Sequence, residues 1–230
     1  MKKRSSNGYY NIDSSLKFKI TEAYKTIRTN LTFSFTKKGC RKIIISSSCP
    51  SEGKSTMSVN IAVSMAQTDV KVLLIDADLR RPKVHRFLAI NNAPGITNYL
   101  SSMNSLDEII RDTQFPNLKV VTAGSLAPNP SEMLSSETFK EFIEQMEQQF
   151  DYIIIDTTPL NVVADALPLI KLSDGVVLVV REKITTYTDL DAAIKKLELI
   201  DAKILGFIYN GVAVSNHHYY SYKDNYATNN

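Results

Sequence analysis

The run Ser46-Ser47-Ser48-Cys49-Pro50-Ser51-Glu52-Gly53-Lys54-Ser55-Thr56 ends in residue types suited to holding a phosphate. A glycine lets the backbone approach phosphate oxygens, a lysine adds a point charge, and the hydroxyl that follows can ligate a divalent cation. An apolar, β-branched stretch at residues 43–45 precedes the run, and Val59, Ala62, Val63 and Ala66 follow it at helical spacing. Such a strand–loop–helix setting aims the N–H groups of Ser51, Glu52, Gly53, Lys54, Ser55 and Thr56 at one anion, where the helix dipole also favours negative charge. Lys54 is placed to meet the β- and γ-phosphates of a nucleotide, and Ser55 to ligate Mg²⁺. Ser48 stands where the general G-x-x-x-x-G-K-[ST] pattern has its leading glycine.

Carboxylates close two further apolar runs. Asp76 and Asp78 follow Val72-Leu73-Leu74-Ile75, and Asp156 follows Tyr152-Ile153-Ile154-Ile155. One such aspartate is ordinarily a turn former or a helix cap. Three beside a phosphate loop make a metal–phosphate site with Ser55. Because Mg²⁺ keeps several waters and takes one or two protein carboxylates, some of Asp76, Asp78 and Asp156 must act behind the metal or as a base.

The elements that must carry these groups are legible as short, continuously apolar runs alternating with helical patterns. Strands are expected at residues 43–46, 72–75, 118–122, 152–155, 176–180 and 204–209. Runs of this kind are buried on both faces, so the sequence predicts an α/β fold, a doubly wound and mostly parallel sheet with helices on both faces. Ligands in such sheets bind at the carboxyl edge, where both the loop and the aspartates fall. Phe139, Phe142, Ile143 and Met146 repeat with helical period, as do Leu190, Ala193, Ile194 and Leu197. Ile20, Tyr24, Ile27 and Leu31 form another stripe ahead of the first strand. The expected division is a mobile N-terminal segment at 1–19, a phosphate-loop domain at 20–211 and a flexible, tyrosine-rich tail at 212–230.

Composition narrows the function classes. The chain has 230 residues, 43% of them hydrophobic, which suits one globular domain. A formal charge of +3 is too small to point to nucleic acid. No apolar run approaches the ~20 residues of a membrane-spanning helix, and the basic N-terminus lacks the apolar stretch of a signal peptide, so a cytoplasmic protein is expected. Cys40 and Cys49 have no metal-spaced partners.

The Gly53-Lys54-Ser55 loop, Asp76-x-Asp78-x-Arg80 and Asp156 together resemble the Walker A, A′ and B motifs of the bacterial tyrosine kinases, above all the free-standing CpsD/CapB type of capsular and exopolysaccharide export. Pro50-Ser51-Glu52-Gly53-Lys54-Ser55-Thr56, Asn129-Pro130-Ser131-Glu132-Met133-Leu134 and Asp156-Thr157-Thr158-Pro159 extend the likeness over roughly residues 20–211. Two letters depart from the family: Thr158-Pro159 replaces paired prolines, and Ser51 stands where glycine is frequent.

The resemblance implies an ATP- and Mg²⁺-dependent autokinase. Lys54, Asp76 and Asp78 would be its catalytic groups, with Asp76 preferred as base and Asp78 and Asp156 behind the metal, roles that the residues alone do not separate. Asn210, and with it Arg181, resembles the adenine-contacting position, although an Asn before Gly211 is also an ordinary strand end. Tyr219, Tyr220, Tyr222 and Tyr226 match the family's acceptor cluster. Glu22, Lys25 and Arg28 resemble its E-x-x-R-x-x-R oligomerisation motif with Lys25 replacing the first arginine. Further implications are a ring of subunits, a separate membrane-bound activator that holds the kinase at the inner membrane face, and a phosphotyrosine phosphatase. The rival is a deviant-Walker ATPase acting as a nucleotide-gated assembly or positioning module. Its signature lysine would fall at Cys49.

Overall fold

A computed structural model describes residues 14–36 and 38–212. The element order is α1 (Ser14–Phe33), β1 (Arg41–Ser47), α2 (Lys54–Ala66), β2 (Val72–Asp76), α3 (Val84–Phe87), α4 (Ile96–Leu100), α5 (Leu106–Ile109), β3 (Arg111–Asp112), β4 (Leu118–Val121), α6 (Pro130–Leu134), α7 (Glu137–Glu147), β5 (Tyr152–Asp156), α8 (Ala166–Leu172), β6 (Gly175–Arg181), α9 (Tyr187–Glu198) and β7 (Ile204–Asn210). The strands form one sheet in the order β3-β4-β2-β5-β1-β6-β7. Every pairing is parallel except β3 with β4.

The apolar runs are explained by two cores. Ile44, Leu73, Ile75, Ile153, Ile155, Val176 and Leu178 point into one, against α7, α8 and α9. Ile43, Ile45, Val72, Leu74, Ile154, Val177 and Val179 point into the other, against α1, α2 and α3. Successive side chains of a strand face opposite ways, so covering both faces requires both sets to be apolar. This is the doubly wound architecture that the sequence predicts.

The helices begin where their chemistry directs. Ser136 caps α7 by accepting from the Phe139 N–H, and Thr186 caps α9 by accepting from the Asp189 N–H. Pro130 occupies the first turn of α6, where its missing N–H costs nothing. The α7 stripe of Phe139, Phe142, Ile143 and Met146 is fully inside.

All six expected strands form. The two-residue β3 is additional, too short to show periodicity. Helix α1 starts at Ser14, within the segment assigned to the N-terminal arm, and Leu16, Phe18 and Ile20 on its first turns stay exposed while Leu31 is buried. A nucleated helix extends at little cost, one hydrogen bond for each residue fixed, even where it buries nothing. Residues 1–13 and the tail at 213–230, including Tyr219, Tyr220, Tyr222 and Tyr226, lie outside the described residues.

Candidate active site

With β5 between β1 and β2, the carboxyl ends of all three strands meet. Asp76 and Asp156 are direct register partners across β2 and β5, and Asp156 also faces Ile45, near the end of β1. The loop between β1 and α2 therefore opens beside the aspartates.

The loop keeps its shape through its own backbone and through braces from distant strands. Gly53 has φ 101°, which favours glycine at the position, and a Cβ there would displace the side-chain amide of Asn210. Ser51 also takes a left-handed backbone, φ 67°, which suits the glycine frequent at this position. Ser48 is not among the described residues with positive φ, so the loop has no conformational need of a leading glycine. The buried Glu52 side chain turns inward: its carboxylate accepts from the Cys49 N–H at 3.0 Å and from the Thr185 hydroxyl. From the ends of β6 and β7, Arg181 donates to the Ser51 carbonyl at 2.8 Å, and the Asn210 amide donates to the Glu52 carbonyl at 2.9 Å. Asn210 and Arg181, expected at an adenine, here brace the loop. The Cys49 thiol is pushed up by burial and then by the neighbouring Asp189 and Glu52 carboxylates, so it stays protonated.

Lys54 begins α2 almost buried, and its Nζ lies 2.8 Å from Oδ2 of Asp78. Oδ1 of Asp78 accepts from the Arg81 N–H at 3.0 Å. Asp76 is fully buried and occupied on both oxygens, with Oδ1 accepting from the Asp78 N–H at 3.3 Å and Oδ2 from Lys83 and Val84 at 3.1 and 3.0 Å. Burial, followed by the nearby Asp156 charge, raises its proton affinity well above that of an ordinary aspartate. Burial likewise raises Asp156 to about 6, against the opposing pull of Lys54, Ser55 and Ser58. Ser58 donates to Oδ1 of Asp156 at 3.0 Å, while Oδ2 is buried with no protein partner.

That orphaned oxygen beside Ser55 is where a nucleotide-borne Mg²⁺ fits. No group of three or more His, Cys, Asp or Glu among the described residues could hold a metal by itself. A cation sharing its shell with phosphate oxygens and water does not need one. The four residues expected at the metal thus separate. Asp156 keeps a buried oxygen without a protein partner, Asp78 is paired with Lys54, and Asp76 is held by backbone donors, while Ser55 lies buried beside Asp156.

Sequence reasoning missed several supports. Asp165 accepts from Arg80 through both oxygens, at 3.1 Å to Nη2, and from the Ser131 hydroxyl, tying the A′ segment to α6. Its Ala-Asp-Ala context carries no spacing signal. Ser58, one helical turn beyond Lys54, was accessible from the 3.6-residue period. Outside the site, Lys25 pairs with Glu22 at 2.7 Å on the surface of α1, whereas Arg28 donates to the Ser64 carbonyl at 2.7 Å and so fastens α1 to α2. The three residues of the expected oligomerisation band do not point alike.

A family model described as AAA domain matches residues 25–206. The chain is 40% identical over 209 residues to tyrosine-protein kinase YwqD of Bacillus subtilis (strain 168), covering 90% of this chain and 88% of the relative. It is 40% identical over 204 residues to tyrosine-protein kinase CpsD of Streptococcus agalactiae, covering 87% and 88%. Among solved structures, the kinase domain of Escherichia coli tyrosine kinase ETK superposes with TM-score 0.80 at 32% identity, covering 86% of this chain and 79% of that one. The Pyrococcus furiosus cell division ATPase MinD superposes with TM-score 0.64 at 26% identity, covering 76% and 74%.

Proposed function

The chain belongs to the bacterial tyrosine kinases, P-loop enzymes of capsule and exopolysaccharide systems, and on that premise we propose that it transfers the γ-phosphoryl of ATP to tyrosines of its own C-terminal cluster. One subunit's tail enters a neighbour's site and takes the phosphoryl group from the ATP held there, and the modification regulates polysaccharide synthesis and export. The observation that carries the reading is the set of Lys54, Asp76, Asp78 and Asp156 at the meeting of β1, β2 and β5, in a chain 40% identical to a named tyrosine kinase.

Each residue has a share in the transfer. The loop N–H groups and Lys54 bind and neutralise the phosphates, Lys54 leaving Asp78 to do so. Ser55 and Asp156 would hold Mg²⁺, which would supply further neutralisation of phosphate charge. The acceptor's phenolic oxygen forms the new P–O bond as the bond to the ADP oxygen breaks, and ADP keeps that electron pair. Asp76 is the group assigned to take the phenolic proton, burial and the nearby Asp156 charge having raised its proton affinity above that of an ordinary aspartate. Asp78, released by Lys54, would act behind the metal as a hydrogen-bond acceptor.

The partners proposed are further copies of this chain in a ring, a membrane-bound activator and a phosphotyrosine phosphatase. No helix among the described residues is long and apolar enough to cross a membrane. Attachment at the inner face of the membrane is therefore assigned to the activator. The rival, a nucleotide-gated positioning ATPase, lacks its lysine at Cys49, and MinD is less similar to this chain than the kinases are. Labelled ATP with Mg²⁺ and the activator's cytoplasmic segment, followed by mapping of modified residues, tests the proposal. Label should appear on Tyr219, Tyr220, Tyr222 and Tyr226, and be absent from Lys54→Met. ATP hydrolysis with no phosphotyrosine would overturn the kinase reading in favour of the rival.

A further inference from the structure

The phosphate cavity is lined from two flanks of the sheet. It measures about 240 Å³ and is lined by Ser51, Gly53, Lys54, Ser55, Thr56, Lys83, Phe87 and Arg181. All but two of these belong to the loop, the start of α2 and the end of β6. The exceptions, Lys83 and Phe87, come from the opposite flank of β5, just before α3 and at its last residue. Arg181 and Asn210, on β6 and β7, brace the loop from one side. On the reading proposed above, the β2–α3 side, with Asp76 and with Asp78 beside Lys54, is the γ-phosphoryl end, from which an acceptor would approach.

Phe87 is 46% exposed. A single exposed phenylalanine is normal on a protein surface. This one lines the cavity, and the backbone at the start of its own short helix donates to Asp76 through Lys83 and Val84. The aromatic ring and the proposed base are thereby held by one piece of backbone. Lys83 lies one helical turn before Phe87, with an exposed side chain.

We propose that Phe87 is the platform on which the acceptor tyrosine ring stacks, and that Lys83 is the cation facing the phosphoryl group as it passes to that tyrosine. The inference rests on the tyrosine-acceptor reading above and adds the residues that select the ring. An offset or tilted aromatic pair favours a planar side chain over serine or threonine hydroxyls, which have no face to stack. An ammonium group near the transferred group stabilises negative charge in the transition state more than in the ground state.

The test uses the full chain and a peptide of its residues 215–228 as acceptor, with Mg-ADP affinity measured alongside. Phe87→Ala should raise KM for the peptide about tenfold, with kcat at saturating peptide and Mg-ADP affinity within about twofold, and Phe87→Tyr should restore KM. Lys83→Ala should instead lower kcat about tenfold or more, and Lys83→Arg should recover most of it. Unchanged KM in Phe87→Ala, or matching losses of peptide and nucleotide affinity, would overturn the platform. A wild-type enzyme that phosphorylates no tyrosine would defeat the function proposed above. Phe87 is then decided by binding alone, from the anisotropy of the labelled peptide on Mg-ADP-loaded protein. Weaker binding to Phe87→Ala supports the platform, and equal binding removes it.

Discussion

Lys54 and Asp78 form a nearly buried ion pair, 2.8 Å from Nζ to Oδ2, which the phosphate role proposed for Lys54 would require it to break. Removing one partner strands the other. Lys54→Met should abolish phosphotransfer and also cost roughly 3 kcal/mol, because Asp78 is left uncompensated beside Asp76 and Asp156. Adding Asp78→Asn should recover most of that stability without restoring activity. Thermal unfolding of the two variants, with initial rates, checks both halves. A Lys54→Met protein as stable as wild type would mean that the pair does not hold in solution.

Asn210 separates two roles by its choice of ligand. If it braces the loop through the Glu52 carbonyl, Asn210→Ala should weaken inorganic triphosphate and ATP by a similar factor, about five- to tenfold for one lost hydrogen bond. An adenine contact would weaken ATP alone. Calorimetric titration with both ligands gives the answer.

The acid limb of stability should report on Asp165. Burial raises this carboxyl, but hydrogen bonds from Arg80 and Ser131 and the guanidinium charge outweigh it, so it titrates below the ordinary aspartate value. A depressed carboxyl contributes stability above its unfolded value of about 3.9 and loses it as pH falls through the folded value. Asp165→Asn should be less stable than wild type at pH 7 by roughly 1–3 kcal/mol, and the gap should close below about pH 4. A gap that persists at pH 2 would remove the ionic contribution.

On α1, Glu22→Ala and Arg28→Ala should part company. Arg28→Ala loses the hydrogen bond to Ser64 and should lower the melting temperature, whereas Glu22→Ala, in a surface pair, should not. If the band assembles subunits, Glu22→Ala should still shift sedimentation toward monomer at unchanged stability. Unchanged sedimentation would return Glu22 to an ordinary surface role.

Much of this was legible because it is local. The strand runs are read one letter at a time, and the phosphate loop is contiguous from Ser46 to Thr56. Asp76 and Asp156 could be placed together because both end strands of one parallel sheet. What could not be read depends on long-range partners. The sequence places the Glu52 N–H in the phosphate loop, and only the fold shows its side chain meeting Thr185. Asp165 and Arg80 lie far apart in sequence and share no period. The two-residue β3 leaves no pattern to detect. The inward turn of Arg28 follows from where α2 happens to lie.

The braces on the phosphate loop also bear on how the chain comes to be folded. Ser51 and Glu52 leave the ribosome well before their supports: 130 residues separate Ser51 from Arg181, 133 separate Glu52 from Thr185, and 158 separate Glu52 from Asn210. A nascent chain therefore carries every letter of the motif long before it can hold the motif's shape. Nucleotide capture becomes a late event that reports completion of the sheet. Because the ligand favours only the finished state, saturating nucleotide ties the first and last thirds of the chain into one cooperative unit.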